Sequence, residues 1–92
     1  MIRSFRDEEA AALFAGLRSR RLERVARVAQ RKLQQLNAAQ QLADLAVFPG
    51  NRLEALEADR QGQRSIRVND QYRVCFVWRD GDAYDVEIVD YH

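Results

Sequence analysis

The fold is decided by residues 65–78, SIRVNDQYRVCFVW. Ile66 and Val68 alternate with polar residues, and Val74 and Phe76 repeat this alternation after the polar break at 69–71. A period of two with β-branched and aromatic residues is typical of half-buried strands, and a short polar break between two such runs predicts a turn. Residues 65–68 and 72–78 are therefore predicted to form an antiparallel hairpin.

Further strands are predicted on both sides of this hairpin. The turn residues 79–82, RDGD, lead into a third apolar run at 83–89, which extends the hairpin into a meander. Residues 52–56 are a candidate fourth strand. The alternating segment 2–5 is a candidate N-terminal strand of the same sheet.

Helices are predicted in the first half of the sequence. Three carboxylates at 7–9 suit the first turn of a helix over 7–17. Between Leu22 and Ala39, apolar residues recur at spacings of three and four, which predicts a longer amphipathic helix, and a further turn is expected at 41–46. The predicted fold is α+β, with an N-terminal strand and two to three helices packed on one face of a mostly antiparallel four- to five-stranded sheet. One domain over 1–92 is expected.

Composition excludes several classes of function. The single Cys75 cannot form an internal disulfide, and one histidine with one cysteine gives no ligand set for zinc. Glycine-rich nucleotide motifs and long apolar runs are absent from the sequence. We expect a cytoplasmic protein without metal, cofactor or membrane association.

Charge is unevenly distributed although the net charge is +1. Residues 1–47 carry nine basic and five acidic side chains, whereas residues 48–92 carry six and nine. Four arginines follow helical spacing on a second face of the long helix: Arg20, Arg24, Arg27 and Arg31. Such a basic ridge attracts phosphate backbones or an acidic partner, although a solvated helix face is the alternative.

The hairpin register determines which residues share the face that the helices leave open. The register that buries both apolar sets pairs Val68 with Tyr72, Ile66 with Val74, and Arg67 with Arg73. Two facing guanidiniums are destabilising unless an anion lies between them. The open face is therefore either a phosphate-binding surface or a set of ordinary ion pairs with Asp85 and Glu87.

The sequence ends in Asp90-Tyr91-His92, which contains its only histidine. Imidazole titrates near neutral pH, so this cluster could transfer protons beside the arginine face. A solvated chain end is the competing interpretation.

Several motifs together resemble the HigB-type toxins of the RelE/ParE toxin-antitoxin superfamily, also called plasmid maintenance system killer proteins. The motifs are MIRSF at 1–5, PGNRLE at 49–54, DRQGQ at 59–63, SIRVNDQYRVCF at 65–76 and VEIVDYH at 86–92. The resemblance covers essentially the whole sequence and implies a RelE-like fold.

The resemblance implies a ribosome-dependent mRNA endonuclease that inhibits translation. The 2′-hydroxyl would attack the neighbouring phosphodiester in mRNA bound to the 70S ribosome. A HigA-like helix-turn-helix antitoxin would neutralise the toxin, and contact with DNA would arise only through that antitoxin.

Residue roles follow from the same resemblance. Arg73 would stabilise the charge on the phosphate, His92 would transfer protons, and Asp90 and Tyr91 would orient His92 and the RNA. The arginine ridge would contact ribosomal RNA or the antitoxin.

The sequence departs from the family pattern at Glu54 and Glu57, where mRNA-cleaving members carry a histidine and a lysine. These carboxylates are expected to repel phosphate, which leaves Arg52, Arg60 and Arg67 as substitutes for phosphate contact. The alternative functions are a non-enzymatic inhibitor like the gyrase-poisoning members of the superfamily and a protein-interaction module.

Overall fold

A computed structural model describes residues 1–90, so Tyr91 and His92 lie outside the described residues. The three helices are α1 (Glu8–Phe14), α2 (Ala26–Ala38) and α3 (Leu42–Ala46). The four strands are β1 (Glu54–Ala55), β2 (Gln63–Arg67), β3 (Tyr72–Arg79) and β4 (Asp82–Asp90). Short 3₁₀ turns occupy Glu23–Val25, Pro49–Asn51 and Ala58–Arg60.

The strands form one antiparallel sheet in the order β1-β2-β3-β4. Ile66 lies opposite Val74, and Arg67 lies opposite Arg73, as the alternation predicts. Because the side-chain period of a strand is two, this register directs every second residue toward the helices. The predicted α+β class, with helices on one side of an antiparallel sheet, is confirmed.

The N-terminal segment runs parallel to β4 along the outer edge of the sheet. Its contacts are isolated bridges of Ile2 with Ala83 and of Phe5 with Val86. Between these bridges, Asp85 has a φ of 53° at the point where the β3–β4 register shifts. One extra residue in a strand is a β-bulge, and the Ser4 hydroxyl accepts a hydrogen bond from the Asp85 amide at 2.9 Å. The bulge removes Asp85 from the simple alternation that the sequence suggests.

The core lies between the helices and the inner sheet face. Phe76, Val74 and Ile66 of the sheet and Leu33 and Leu36 of α2 are fully buried. Trp78 packs against this cluster, with its ring edge-on to Phe76 at 6.3 Å. In residues 1–90 no helix is long and apolar enough to cross a bilayer.

Helix boundaries differ from the sequence prediction in the basic segment. The long helix begins at Ala26, because residues 23–25 form a 3₁₀ turn and Arg20 precedes both. Leu22 nevertheless is fully buried, so the apolar stripe continues through a change of helix type. A spacing of three, as between Leu22 and Val25, fits a 3₁₀ turn as well as an α-helix.

Candidate active site on the open sheet face

Arg73 is the most firmly held cation on the open face. Its side chain is only 11% exposed. Nε donates to the Ser65 hydroxyl at 2.7 Å, and Nη2 donates to the Arg52 carbonyl at 2.7 Å. These contacts fix the guanidinium plane over β2, so the positive charge is preorganised at one position on the sheet.

Glu54 is the carboxylate that faces this guanidinium. Its Oε1 lies 3.4 Å from Arg73 Nη2, and the glutamate side chain remains 52% exposed. Glu54 on β1 therefore lies beside the guanidinium that the sequence analysis predicts to bind phosphate. Glu57 is exposed and lies just before the 3₁₀ turn at 58–60.

The turn that follows α3 presents the Arg52 carbonyl to Arg73. Arg52 has a left-handed φ of 44°, and its backbone carbonyl accepts the hydrogen bond from Arg73 Nη2. Asn51, which is fully buried, holds the turn: its amide donates to the Leu45 carbonyl at 3.0 Å and to Gln35 at 3.1 Å.

Asn51 also accepts a hydrogen bond from the buried Lys32 ammonium. Burial lowers the pKa of Lys32, and the positive charges of Arg31 and Arg67 lower it further. The Asn51 amide therefore both holds the backbone of the turn and stabilises the buried ammonium of Lys32.

Arg67 and Arg60 are paired with carboxylates. Arg67 bonds to Asp70 in the β2–β3 turn. Arg60 lies 3.4 Å from Glu87, which is also within 3.8 Å of Arg6. The facing Arg67 and Arg73 are thus relieved by Asp70 and Glu54, whereas the pairing with Asp85 and Glu87 that strict alternation suggests does not form.

Cys75 lies beneath these pairs. It opposes Ser65 and Glu87 on the neighbouring strands and is fully buried. Burial raises the pKa of its thiol to about 11. At neutral pH the thiol is protonated and acts as a small apolar filler.

Asp90 and Arg73 occupy successive positions of the sheet register. Arg73 opposes Val89, whereas Asp90 opposes Tyr72. Asp90 therefore points to the helix side of the sheet end, and its Oδ2 accepts from the Gln71 amide at 3.0 Å. The predicted roles of Tyr91 and His92 concern residues outside the described part of the chain.

The four arginines of the predicted ridge border three different hollows. Arg20 and Arg24 border a cleft beside the β2–β3 turn. Arg27 borders a separate hollow near the end of α1, and Arg31 borders a third one between α2 and α3. The break in the helix before Ala26 separates the first two arginines from the others.

Sequence reasoning missed the residues that hold the site. Ser65 supports Arg73 while fully buried, and Arg21 joins three segments of the chain. A serine on the outward face of a β-strand is a weak signal, and Arg21 is hidden in the basic run. Within residues 1–90 no cluster of three histidine, cysteine or carboxylate side chains is arranged to hold a metal ion.

Comparison with known proteins defines the class. The sequence profile of a family described as RelE-like toxins of the type II toxin-antitoxin system HigB matches residues 3–92. Toxin HigB-1 of Vibrio cholerae is 57% identical over 53 residues. That match covers 58% of this chain and 56% of the relative, so the chain spans about half the length of that protein.

A second relative matches throughout. Endoribonuclease HigB of Proteus vulgaris is 31% identical over 99 residues, which cover 100% of both chains. The chain therefore belongs to the HigB family of RelE-like toxins of type II toxin-antitoxin systems. The family resemblance of the sequence motifs is confirmed.

Proposed function

We propose that the protein is a cytoplasmic toxin that cleaves mRNA on the 70S ribosome and so inhibits translation. The observation that carries the proposal is the pairing of a fixed guanidinium, Arg73, with an accessible carboxylate, Glu54, on the open face. Membership of a toxin family with a full-length relative named an endoribonuclease supports the same activity.

The reaction is an in-line transfer at phosphorus. The ribose 2′-oxygen attacks the adjacent phosphorus while the bond from phosphorus to the 5′-oxygen breaks. The products are a 2′,3′-cyclic phosphate and a free 5′-hydroxyl. One proton leaves the 2′-hydroxyl and one reaches the leaving 5′-oxygen, so an acceptor and a donor are both needed.

Arg73 is assigned to the phosphate. Its position is fixed before the substrate arrives, which favours stabilisation of the extra negative charge in the transition state. The phosphate would take the place of Glu54 on the Nη2 edge, and the displaced carboxylate would remain beside the reacting ribose.

Glu54 is assigned as acceptor of the 2′-hydroxyl proton. A carboxylate that is half exposed and 3.4 Å from the phosphate-binding guanidinium can approach the ribose without leaving β1. In this interpretation Glu54, which departs from the family pattern, takes part in catalysis. His92 is assigned as donor to the 5′-oxygen, with Asp90 and Tyr91 orienting it and the RNA.

The remaining cations are assigned to binding. Arg52, Arg60 and Arg67 border the site and would contact flanking phosphates, whereas Arg27 and Arg31 would contact ribosomal RNA. Such contacts are independent of sequence and sensitive to salt. A helix-turn-helix antitoxin of the HigA type would neutralise the toxin and supply its link to DNA.

The test is growth arrest together with mapping of mRNA 5′ ends at stalled ribosomes. Arg73→Ala and His92→Ala should abolish both, while Arg79→Gln, at the opposite end of β3, should retain both. Growth arrest and cleavage that survive deletion of His92 would remove it from the mechanism. Inhibition of DNA supercoiling without any RNA cleavage would favour the gyrase-poisoning alternative.

A further inference from the structure

A cleft of about 670 Å³ lies between the basic segment and the β2–β3 turn. One wall contains Arg20, Arg24 and Val25, and the other contains Asn69, Gln71 and Tyr72. This volume lies within the range of roughly 300–1,000 Å³ that small-molecule sites occupy. The cleft is thus large enough for a nucleotide.

Two guanidiniums dominate the charge of this cleft. Arg21 and Glu23 also border it, but Arg21 is neutralised by Asp7 and Glu9, and Glu23 is paired with Arg18. Arg20 and Arg24 are exposed, and within residues 1–90 neither pairs with a carboxylate. Two exposed guanidiniums on one wall favour an anion with several acceptor oxygens.

The opposite wall leads directly to the Asp90 segment. The Gln71 side chain donates to Asp90 at 3.0 Å, and Tyr72 is the strand partner of Asp90. The next residue of β3 is Arg73, whose side chain lies on the other face of the sheet. An RNA strand that reaches Arg73 around the end of the sheet would therefore pass this cleft.

We propose that the cleft binds a nucleotide next to the scissile phosphate in single-stranded RNA. Its phosphate lies on Arg20 and Arg24, and its base or ribose lies against Tyr72 and Val25. Aromatic rings bind unpaired bases with little dependence on sequence. This inference rests on the proposed function and separates Arg20 and Arg24 from the ribosome-contacting arginines.

An acidic peptide is the competing occupant of a basic cleft. The RNA interpretation is favoured because the cleft combines phosphate-binding guanidiniums, a half-buried aromatic ring and continuity with Asp90. A peptide carboxylate would need only the guanidiniums.

The experiment measures binding of a fluorescent single-stranded RNA that carries a 2′-deoxynucleotide at the cleavage position, at several salt concentrations. The double variant Arg20→Gln/Arg24→Gln should bind at least about tenfold more weakly, and its salt slope should fall by about 1–2. The control Arg64→Gln/Arg79→Gln removes the same charge outside the cleft and should stay within about twofold of the parent. Equal losses in the two double variants overturn the site.

Two further measurements identify the occupant. Binding to ribosomes without mRNA should be unchanged in Arg20→Gln/Arg24→Gln; a loss there assigns these arginines to ribosomal RNA and overturns the proposal. Unchanged RNA affinity with weaker antitoxin binding overturns it in favour of a peptide site. If the parent protein binds the RNA through the cleft but cuts no mRNA on ribosomes, the proposed activity fails while the binding site remains.

Discussion

Arg73 and Glu54 form an ion pair that spans the intervening strand, with Nη2 3.4 Å from Oε1. β1 and β3 are not neighbours, so the arginine reaches across β2 and passes Ser65 on the way. In the proposed mechanism, the carboxylate occupies the place of the phosphate until substrate binds. The pair would then link substrate binding to release of a base.

Glu54→Gln separates the two roles of this glutamate. If the carboxylate accepts the 2′-hydroxyl proton, kcat should fall by about 10²–10⁴-fold, because this is the usual contribution of a positioned general base. KM should not rise, since the amide no longer competes with phosphate for Arg73. Single-turnover cleavage on programmed ribosomes gives both values. Faster cleavage by Glu54→Gln would show that Glu54 only obstructs the site.

Ser65 is expected to act as a positioning residue for Arg73. Ser65→Ala removes the acceptor for Arg73 Nε and should cost about 1 kcal/mol of unfolding free energy. Cleavage should slow more than RNA binding weakens, because the guanidinium keeps its charge and loses its orientation. Ser65→Thr, which retains the hydroxyl, is the matched comparison. Equal cleavage rates in Ser65→Ala and the parent would contradict this role.

The hairpin was predictable because its signals are local. Alternation in 65–78 sets one register, and a slip by one residue would expose every core side chain of β3. The pairing of Arg67 with Arg73 follows from that register alone. The identity of their carboxylate partners does not, because Glu54 reaches the site only through the turn that Asn51 holds.

The misassigned features depend on contacts between distant segments. The bulge at Asp85 is stabilised by Ser4, and no pattern within β4 indicates it. The arginines of the ridge do not lie on one continuous α-helix, because the α-helix begins only at Ala26. Ser65 and Arg21 act through three-dimensional neighbours that sequence spacing does not reveal.

Asn51→Ala should be strongly destabilising. It leaves the Lys32 ammonium and the Leu45 carbonyl without their buried partner, and each loss costs about 1–3 kcal/mol, with the larger value expected for the charged group. Chemical denaturation measures the change. The double variant Lys32→Met/Asn51→Ala should recover part of the loss, because no ammonium then remains buried. Equal stability of the single and double variants would contradict the interpretation.

Cys75 should be unreactive in the folded protein. Because burial raises its thiol pKa to about 11, alkylation by iodoacetamide near neutral pH should be slow in buffer and fast in denaturant. Mass spectrometry of timed samples measures both rates. Above the pKa of the unfolded thiol, the unfolded state ionises while the folded state does not, so this group reduces stability as pH rises toward 11. Rapid alkylation of the native protein would contradict the burial.

Arg21 connects the start of α1 to the end of β4 by hydrogen bonds. Its guanidinium donates to Glu9 at 2.6 Å, to Asp7 at 2.7 Å and to the Ile88 carbonyl at 3.2 Å, while Asp7 also accepts from the Ile88 amide at 3.2 Å. Arg21→Gln should therefore lower stability and loosen the strand that leads to Asp90. Hydrogen exchange of the Ile88 amide should accelerate, and kcat should fall more than RNA affinity.

Low pH should weaken the hydrogen bond between Arg21 and Glu9. The hydrogen bond from Arg21, aided by that from Ser19, lowers the pKa of Glu9. A carboxylate with a lowered folded pKa contributes stability above its unfolded pKa and loses it as pH falls through the folded value. The stability difference between the parent and Glu9→Gln should therefore be constant near neutral pH and shrink below pH of about 4. Glu8→Gln, at the adjacent position, is the control. If the stability difference between the parent and Glu9→Gln stayed unchanged in acid, the carboxylate charge would not stabilise the fold.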